Sequence, residues 1–298
     1  VTFKNSGLAT LVGAASLLTG AAALGATATI GYRGFRHRIA ANATVLNETL
    51  PINSKWWRDH AKEKGELLYV ALGDSAAQGI GASAPQRGYV GILADHIRLA
   101  TGRTVRVINL SVSGATVELA VRDQLPRLMK LQPDLVTVAI GANDIAQWDA
   151  ATFESGIRQI FEAVPAHTLV ADLPCFHFAS AEAKVAVANR LLRQIADEFA
   201  LTVVPLHSTT KRQGLRSALT QFANDMFHPN DRGYRVWAEA FLPDLSAAVS
   251  RLPLPSHSAE PSHSAEPSHS AKPSPQTDAS AARAPQTATP PGSVSGPS

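Results

Sequence analysis

The chain has 298 residues, 45% of them hydrophobic, and a formal net charge of +3, which is enough apolar material for one sizeable domain plus extensions. So small and scattered an excess of base gives no ground for a nucleic-acid partner. The single cysteine, Cys175, excludes an intrachain disulfide, and there is no Cys/His cluster with zinc-ligand spacing, so no metal site is expected.

Residues 8–32, "LATLVGAASLLTGAAALGATATIGY", carry no charge and are long enough to cross a bilayer as a helix. A membrane anchor, a cleaved export signal and a buried helix all fit this composition. "ATA" at 26–28 suits a cleavage site, but the polar segment expected before it is missing, so an uncleaved anchor over residues 1–38 is the expectation. Arg33, Arg36 and Arg38 follow the span and Lys4 precedes it, which taken literally puts the main domain in the cytoplasm. An anchor joined to a disordered tail suits a cell envelope instead. The extracytoplasmic side is therefore expected, with cytoplasm-facing and secreted forms as alternatives. Residues 39–66 read as a connector with helical character, in which Trp56 and Trp57 would pack on the domain rather than sit at a membrane interface.

From 67 to 252 apolar runs alternate with amphipathic stretches. "LLYVAL" (67–72), "TVRVINL" (104–110), "LVTVAI" (135–140), "TLVADL" (168–173) and "LTVVPL" (201–206) are short, β-branched and nearly continuous in apolar character. They read as strands buried on both faces. Helices are predicted near 88–101, 117–131, 152–163, 180–199 and 232–249. This βαβα rhythm argues for a parallel sheet in a three-layer α/β/α fold. From 253 to 298 the composition changes: "PSHSAE" at 255–260 and 261–266 is followed by "PSHSAK" at 267–272. A Pro/Ser/Ala-rich tail of this kind cannot bury a core and is expected to be disordered. His257, His263 and His269 could bind a metal weakly, but a solvated linker is the better reading.

In an open parallel sheet ligands bind beyond the carboxyl ends of the strands, so the residues after each strand matter. Gly73-Asp74-Ser75 follows the first, "NLSVSGAT" with Asn109, Gly114 and Thr116 the second, "GANDI" with Gly141, Asn143 and Asp144 the third, and "NDMFHPN" with Asp225 and His228 comes after the fifth. Each has a bland reading. Gly-Asp-Ser is ordinary turn and cap chemistry, Asn143 is a turn residue pinning loops, and 225–228 is a loop into the last helix with Asp231 as its cap. Their joint placement on one rim favours chemistry. Ser75 needs a base within reach. His228 supplies it, and Asp225, three residues earlier, folds back to orient the imidazole. The backbone N–H groups of Ser75 and Gly114 and the side-chain amide of Asn143 are candidate oxyanion donors. Asp74 and Asp144 read as loop-bracing carboxylates. Phe176, His177 and Cys175 either line the pocket or pack, and His207 is structural.

These blocks resemble the SGNH (GDSL-type) hydrolases. "GDSAAQG" (73–79) matches the first block with Ser75, "NLSVSGAT" (109–116) the second with Gly114, "GANDI" (141–145) the third with Asn143, and "DMFHPN" (225–230) the last with Asp225 and His228. Four blocks in order over roughly 67–250 make the resemblance specific, although Ala76-Ala77 stands where a bulkier pair often follows the serine. It implies a flavodoxin-like sheet and ester hydrolysis through an acyl-enzyme on Ser75, with no metal or organic cofactor required. The substrate would be a small-molecule or lipid ester, and residues 8–32 would contact a membrane. The sequence carries no signal of oligomeric state. Acyl transfer or polysaccharide deacetylation at the same site, and a flavin- or nucleotide-binding module, are the alternatives.

Overall fold

A computed structural model describes residues 49–253. The expected anchor over 8–32 and the repeat-bearing tail lie outside this range. Among the described residues no helix is long and apolar enough to cross a membrane.

Five strands, β1 (Leu67–Gly73), β2 (Val105–Asn109), β3 (Leu135–Ala139), β4 (Leu169–Ala171) and β5 (Thr202–Val204), form one sheet in the order β2-β1-β3-β4-β5. Every pairing is parallel, and the register sets Gly73 against Ala139 and Ala71 against Asn109. Successive side chains of a strand point to opposite faces. Tyr69 and Ala71 therefore enter one apolar cluster, while Val70 and Leu72 enter the other. Helices α1 (Leu50–His60), α2 (Tyr89–Thr101) and α9 (Asp231–Val249) supply Trp57, Leu93, Ile97, Trp237 and Phe241 to the first cluster. The second cluster is filled from α3 (Val117–Asp123), α4 (Leu125–Leu128), α5 (Ala150–Ala163) and α6 (Ala179–Glu198). The result is the three-layer, flavodoxin-like α/β/α arrangement. Its strand order reverses between β1 and β3, which puts the ligand-binding crevice at the carboxyl ends of those two strands.

Several details depart from the pattern in the sequence. The helix expected over 117–131 is two helices, because Gln124 turns inward at the break. Its fully buried amide accepts from Gly73 N–H at 3.0 Å and donates to Gly73 C=O at 2.7 Å, closing off the end of β1. β4 stops at Ala171, two residues early, since Leu173 N–H goes to the Asn189 side chain at 2.7 Å instead of a sheet partner. Two short helices, α7 (Leu206–Arg212) and α8 (Leu215–Thr220), follow β5 where none was expected. The described part of the connector is helix α1, which docks on the domain: Trp57 Nε1 and Asn53 Nδ2 both donate to Gln78 C=O, at 3.1 and 3.0 Å.

Candidate active site

β1 ends in Gly73, whose lack of a Cβ is forced by Ala139 C=O, 2.7 Å from where that atom would stand. Asp74 and Ser75 then leave the sheet at the reversal point, and Asp74 Oδ1 accepts from Ala76 N–H at 2.9 Å, tightening the turn. Burial pushes the Asp74 carboxyl up to about 6, against the opposing pull of Ala76 N–H and of His228. Asp144 likewise braces a loop, accepting from Val117 N–H at the start of α3, and burial raises it to about 6.

The histidine arrives from a hairpin-like loop between α8 and α9. Phe222 and Pro229 form an antiparallel bridge, and Ala223 N–H donates to His228 C=O at 2.8 Å. Asn230 caps α9 through its Oδ1, and its NH₂ group also donates to Thr220 C=O and Phe222 C=O. Asn230, not Asp231, is thus the cap. Asp231 instead accepts from the backbone N–H and the hydroxyl of Ser83, both at 2.7 Å. Tyr234 Oη donates to Ile80 C=O at 2.6 Å. The loop that carries Ser75 is therefore fastened to the helix that follows His228.

These fastenings bring together three side chains that are far apart in the chain. His228 Nε2 lies 2.9 Å from Ser75 Oγ, and His228 Nδ1 lies 2.5 Å from Asp225 Oδ2. The Oδ1 of Asp225 accepts from the backbone N–H groups of Phe227 and His228, both at 3.0 Å. Burial on its own would raise the Asp225 carboxyl, but the hydrogen bonds from His228 and Phe227 outweigh it and hold the group below the ordinary carboxylate range. An ionised Asp225 can only accept, so Nδ1 carries the proton and the Nε2 lone pair faces the serine hydroxyl.

The three expected oxyanion donors fare differently. Among the described residues, neither Ser75 N–H nor Gly114 N–H donates to a protein acceptor. Gly114 has a φ of +76°, and nothing lies within 4 Å of where its Cβ would be, so backbone and substrate can approach closely there. The Asn143 amide donates to Ala115 C=O at 2.9 Å and to Asp74 Oδ2 at 3.3 Å. In this state it ties the Gly114 loop to the turn that presents Ser75, which is the pinning role.

Beside Ser75 and His228 opens a cavity of about 420 Å³. Phe176, Phe222, Met226, Phe227 and Trp237 give it apolar walls, and Cys175 and His177 line it as well. The short helices that the sequence concealed, α7 and α8, contribute Thr210, Ser217 and the approach to Phe222. No local signal marks these residues, because α7 reads "LHSTTKR" and is neither apolar nor periodic.

Gly81 offers a direct test of how the two loops meet. Its φ is +92°, and an added Cβ would stand 2.5 Å from Pro229 C=O and 2.9 Å from His228 Cβ. Gly81→Ala is expected to displace His228 from Ser75 and lower kcat about 10²-fold, the usual consequence of a misplacement near 1 Å. Steady-state kinetics on an activated ester, alongside a thermal melt showing a folded variant, measures this. Unchanged kcat would mean the loops meet differently.

A parallel sheet reversing between β1 and β3, with a serine, an imidazole and a carboxylate in hydrogen-bonded series at that point, defines a class: the SGNH hydrolases. The sequence matches the GDSL-like Lipase/Acylhydrolase family over residues 71–236, more than half of the chain. The chain belongs to that family and is a carboxylic ester hydrolase. That assignment disposes of the flavin- or nucleotide-binding alternative. Among solved structures it is similar to LAE5, an alpha/beta hydrolase enzyme from the metagenome of Lake Arreo, Spain, at 25% identity and a TM-score of 0.52, covering 62% of this chain and 98% of that one. It shares its fold with TesA (21% identity, TM-score 0.52, covering 61% of this chain and 99% of that one). It also shares it with a variant of the acetyl xylan esterase Axe2 from Geobacillus stearothermophilus (21%, 0.51, covering 60% and 94%). No curated protein matches it.

Proposed function

We propose that this esterase cleaves esters with an apolar acyl group through an acyl-enzyme on Ser75, with His228 as the base and Asp225 as its orienting acid. The observation that carries the reading is the single imidazole spanning Ser75 Oγ at 2.9 Å and Asp225 Oδ2 at 2.5 Å. His228 takes the hydroxyl proton as Ser75 Oγ attacks the ester carbonyl, and Asp225 stabilises the imidazolium that forms. The tetrahedral oxyanion is received by the unpartnered N–H groups of Ser75 and Gly114. Asn143 joins them by exchanging its longer bond to Asp74 for one to the oxyanion. His228 then protonates the departing alcohol, and water repeats the sequence to release the acid.

The apolar lining of the cavity supports an acyl chain longer than acetyl. Of the residues that line it, Phe178, Met226 and Phe227 leave apolar surface exposed, which suits a substrate drawn from a lipid surface. Attachment to a membrane through residues 8–32 on the extracytoplasmic side belongs with this proposal. The test is kcat/KM over p-nitrophenyl esters of increasing chain length. A rise from acetate to medium chains by about tenfold or more is expected, since each buried CH₂ contributes about 0.8 kcal/mol. A maximum at acetate would overturn the acyl-pocket reading in favour of a deacetylase.

A further inference from the structure

In the wall of this cavity, and reaching beyond it, lies a second group of side chains that ester hydrolysis leaves unused. Cys175 and His177 stand in the loop between β4 and α6, Glu182 is in the first turn of α6, and His207 is in the first turn of α7. One donor atom from each of Cys175, Glu182 and His207 lies within 4.8 Å of the others. Within the group, His207 Nε2 is 3.0 Å from Glu182 Oε2, and His177 Nδ1 is 3.7 Å from Cys175 Sγ. Ligand atoms of a tetrahedral zinc ion, bound at about 2.3 Å by sulfur and about 2.0–2.1 Å by nitrogen or oxygen, are roughly 3.3–3.6 Å apart. The side chains are thus within a small rotation of that spacing.

The surroundings orient these donors as those of metal sites are oriented. Ser217 Oγ donates to Gly214 C=O at 2.6 Å, so it accepts from His177 Nε2–H at 3.3 Å. That fixes the tautomer in which the Nδ1 lone pair of His177 faces Cys175. Glu182 Oε1 accepts from Phe176 N–H at 2.6 Å, which leaves Oε2 for the cluster. The backbone N–H of His207 is held at 2.6 Å by buried Asp172. His177 has a φ of 60°, a left-handed conformation that costs a non-glycine residue free energy and persists only where its surroundings demand it.

We infer that Cys175, Glu182 and His207 form a three-donor binding site, bordered by His177, for a divalent ion of borderline softness, of the zinc class. A thiolate, an imidazole and a carboxylate together select such an ion over magnesium or calcium. Binding releases the Cys175 thiol proton to solvent and moves the His207 Nε2 proton to Nδ1. The ion joins the β4–α6 loop to α6 and α7, and so fixes the stretch from Pro174 to Phe178 that lines the ester cavity. It takes no part in bond cleavage at Ser75. The donors come from positions 175 to 207, so no local spacing reveals them.

Titration of the full chain with cobalt(II) chloride, in a phosphine reductant that adds no competing thiol, tests this. Cys175 is the chain's one cysteine. Thiolate-to-cobalt charge-transfer absorption therefore reports on this site alone and is blind to the histidines of the Pro-rich repeats. A band saturating at one cobalt per chain and displaced by zinc chloride is expected. Cys175→Ser should remove it, and Glu182→Gln and His207→Gln should each weaken cobalt binding about tenfold or more, with circular dichroism confirming that each variant is folded. Absence of the band in the unaltered protein at equimolar cobalt would overturn the inference. So would a titration midpoint unchanged in both Glu182→Gln and His207→Gln, which would mean that the thiol binds cobalt unaided.

Discussion

Ser75→Ala is expected to lower kcat by about 10⁶-fold, the loss seen when the nucleophile of a cooperating triad is removed, and to leave the fold intact. The two halves of this expectation have different physical origins. Catalysis is lost because, among the described residues, no other hydroxyl or thiol hydrogen-bonds His228 Nε2. Cys175 lines the same cavity but is engaged with His177, and burial raises its thiol above the ordinary cysteine range, which disfavours the thiolate a nucleophile would need. The fold is retained because, among the described residues, Ser75 Oγ bonds only to that imidazole, whose ring lies at the cavity, where water can replace the lost partner. Phosphonate labelling of the unaltered enzyme, blocked in the variant, checks the same point without turnover. A variant retaining a hundredth of the original kcat with an unchanged melting curve would move the chemistry off Ser75.

The parts of this molecule that were legible in the sequence are those fixed by local pattern. Five strands stand out because burial on both faces makes each a continuous β-branched run, and Asp225 and His228 stand out because a three-residue separation lets one turn join them. Other features depend on partners remote in the chain and leave no periodic trace. Gln124 breaks a helix to satisfy Gly73, 51 positions away. Asn143 is recognisable as a rim amide, but its bonds to Ala115 and Asp74 emerge only once β1, β2 and β3 are side by side. Helix α7 reads "LHSTTKR" and lacks the apolar stripe that announces a helix, and α8 is only six residues long. The separation of 153 positions between Ser75 and His228 is bridged by the sheet order itself, which the βαβα rhythm implies without specifying which loops will touch.

Asp225→Asn is expected to lower kcat about 10⁴-fold while the thermal midpoint stays close to that of the unaltered enzyme. The amide could in principle turn its oxygen toward His228 Nδ1 and preserve the working tautomer, but the backbone forbids it. The N–H groups of Phe227 and His228 both point at the Oδ1 position at 3.0 Å, so an oxygen must stay there and the NH₂ group must take the Oδ2 position, facing Nδ1. A donor at that position drives the imidazole proton to Nε2, which then can no longer accept from Ser75. Asp225→Ala differs, since it also orphans those two N–H groups and should unfold more readily. The pH dependence separates the variants further. The folded carboxyl of Asp225 is held below its ordinary value of 3.8, so its contribution to stability is complete above that value and is lost as pH falls through the depressed one. Urea midpoints measured from pH 7 down to about pH 2 should therefore drop less in Asp225→Asn than in the unaltered enzyme, because the variant has no such proton to take up. Activity within tenfold of the unaltered enzyme would mean that His228 is oriented by something other than this carboxylate.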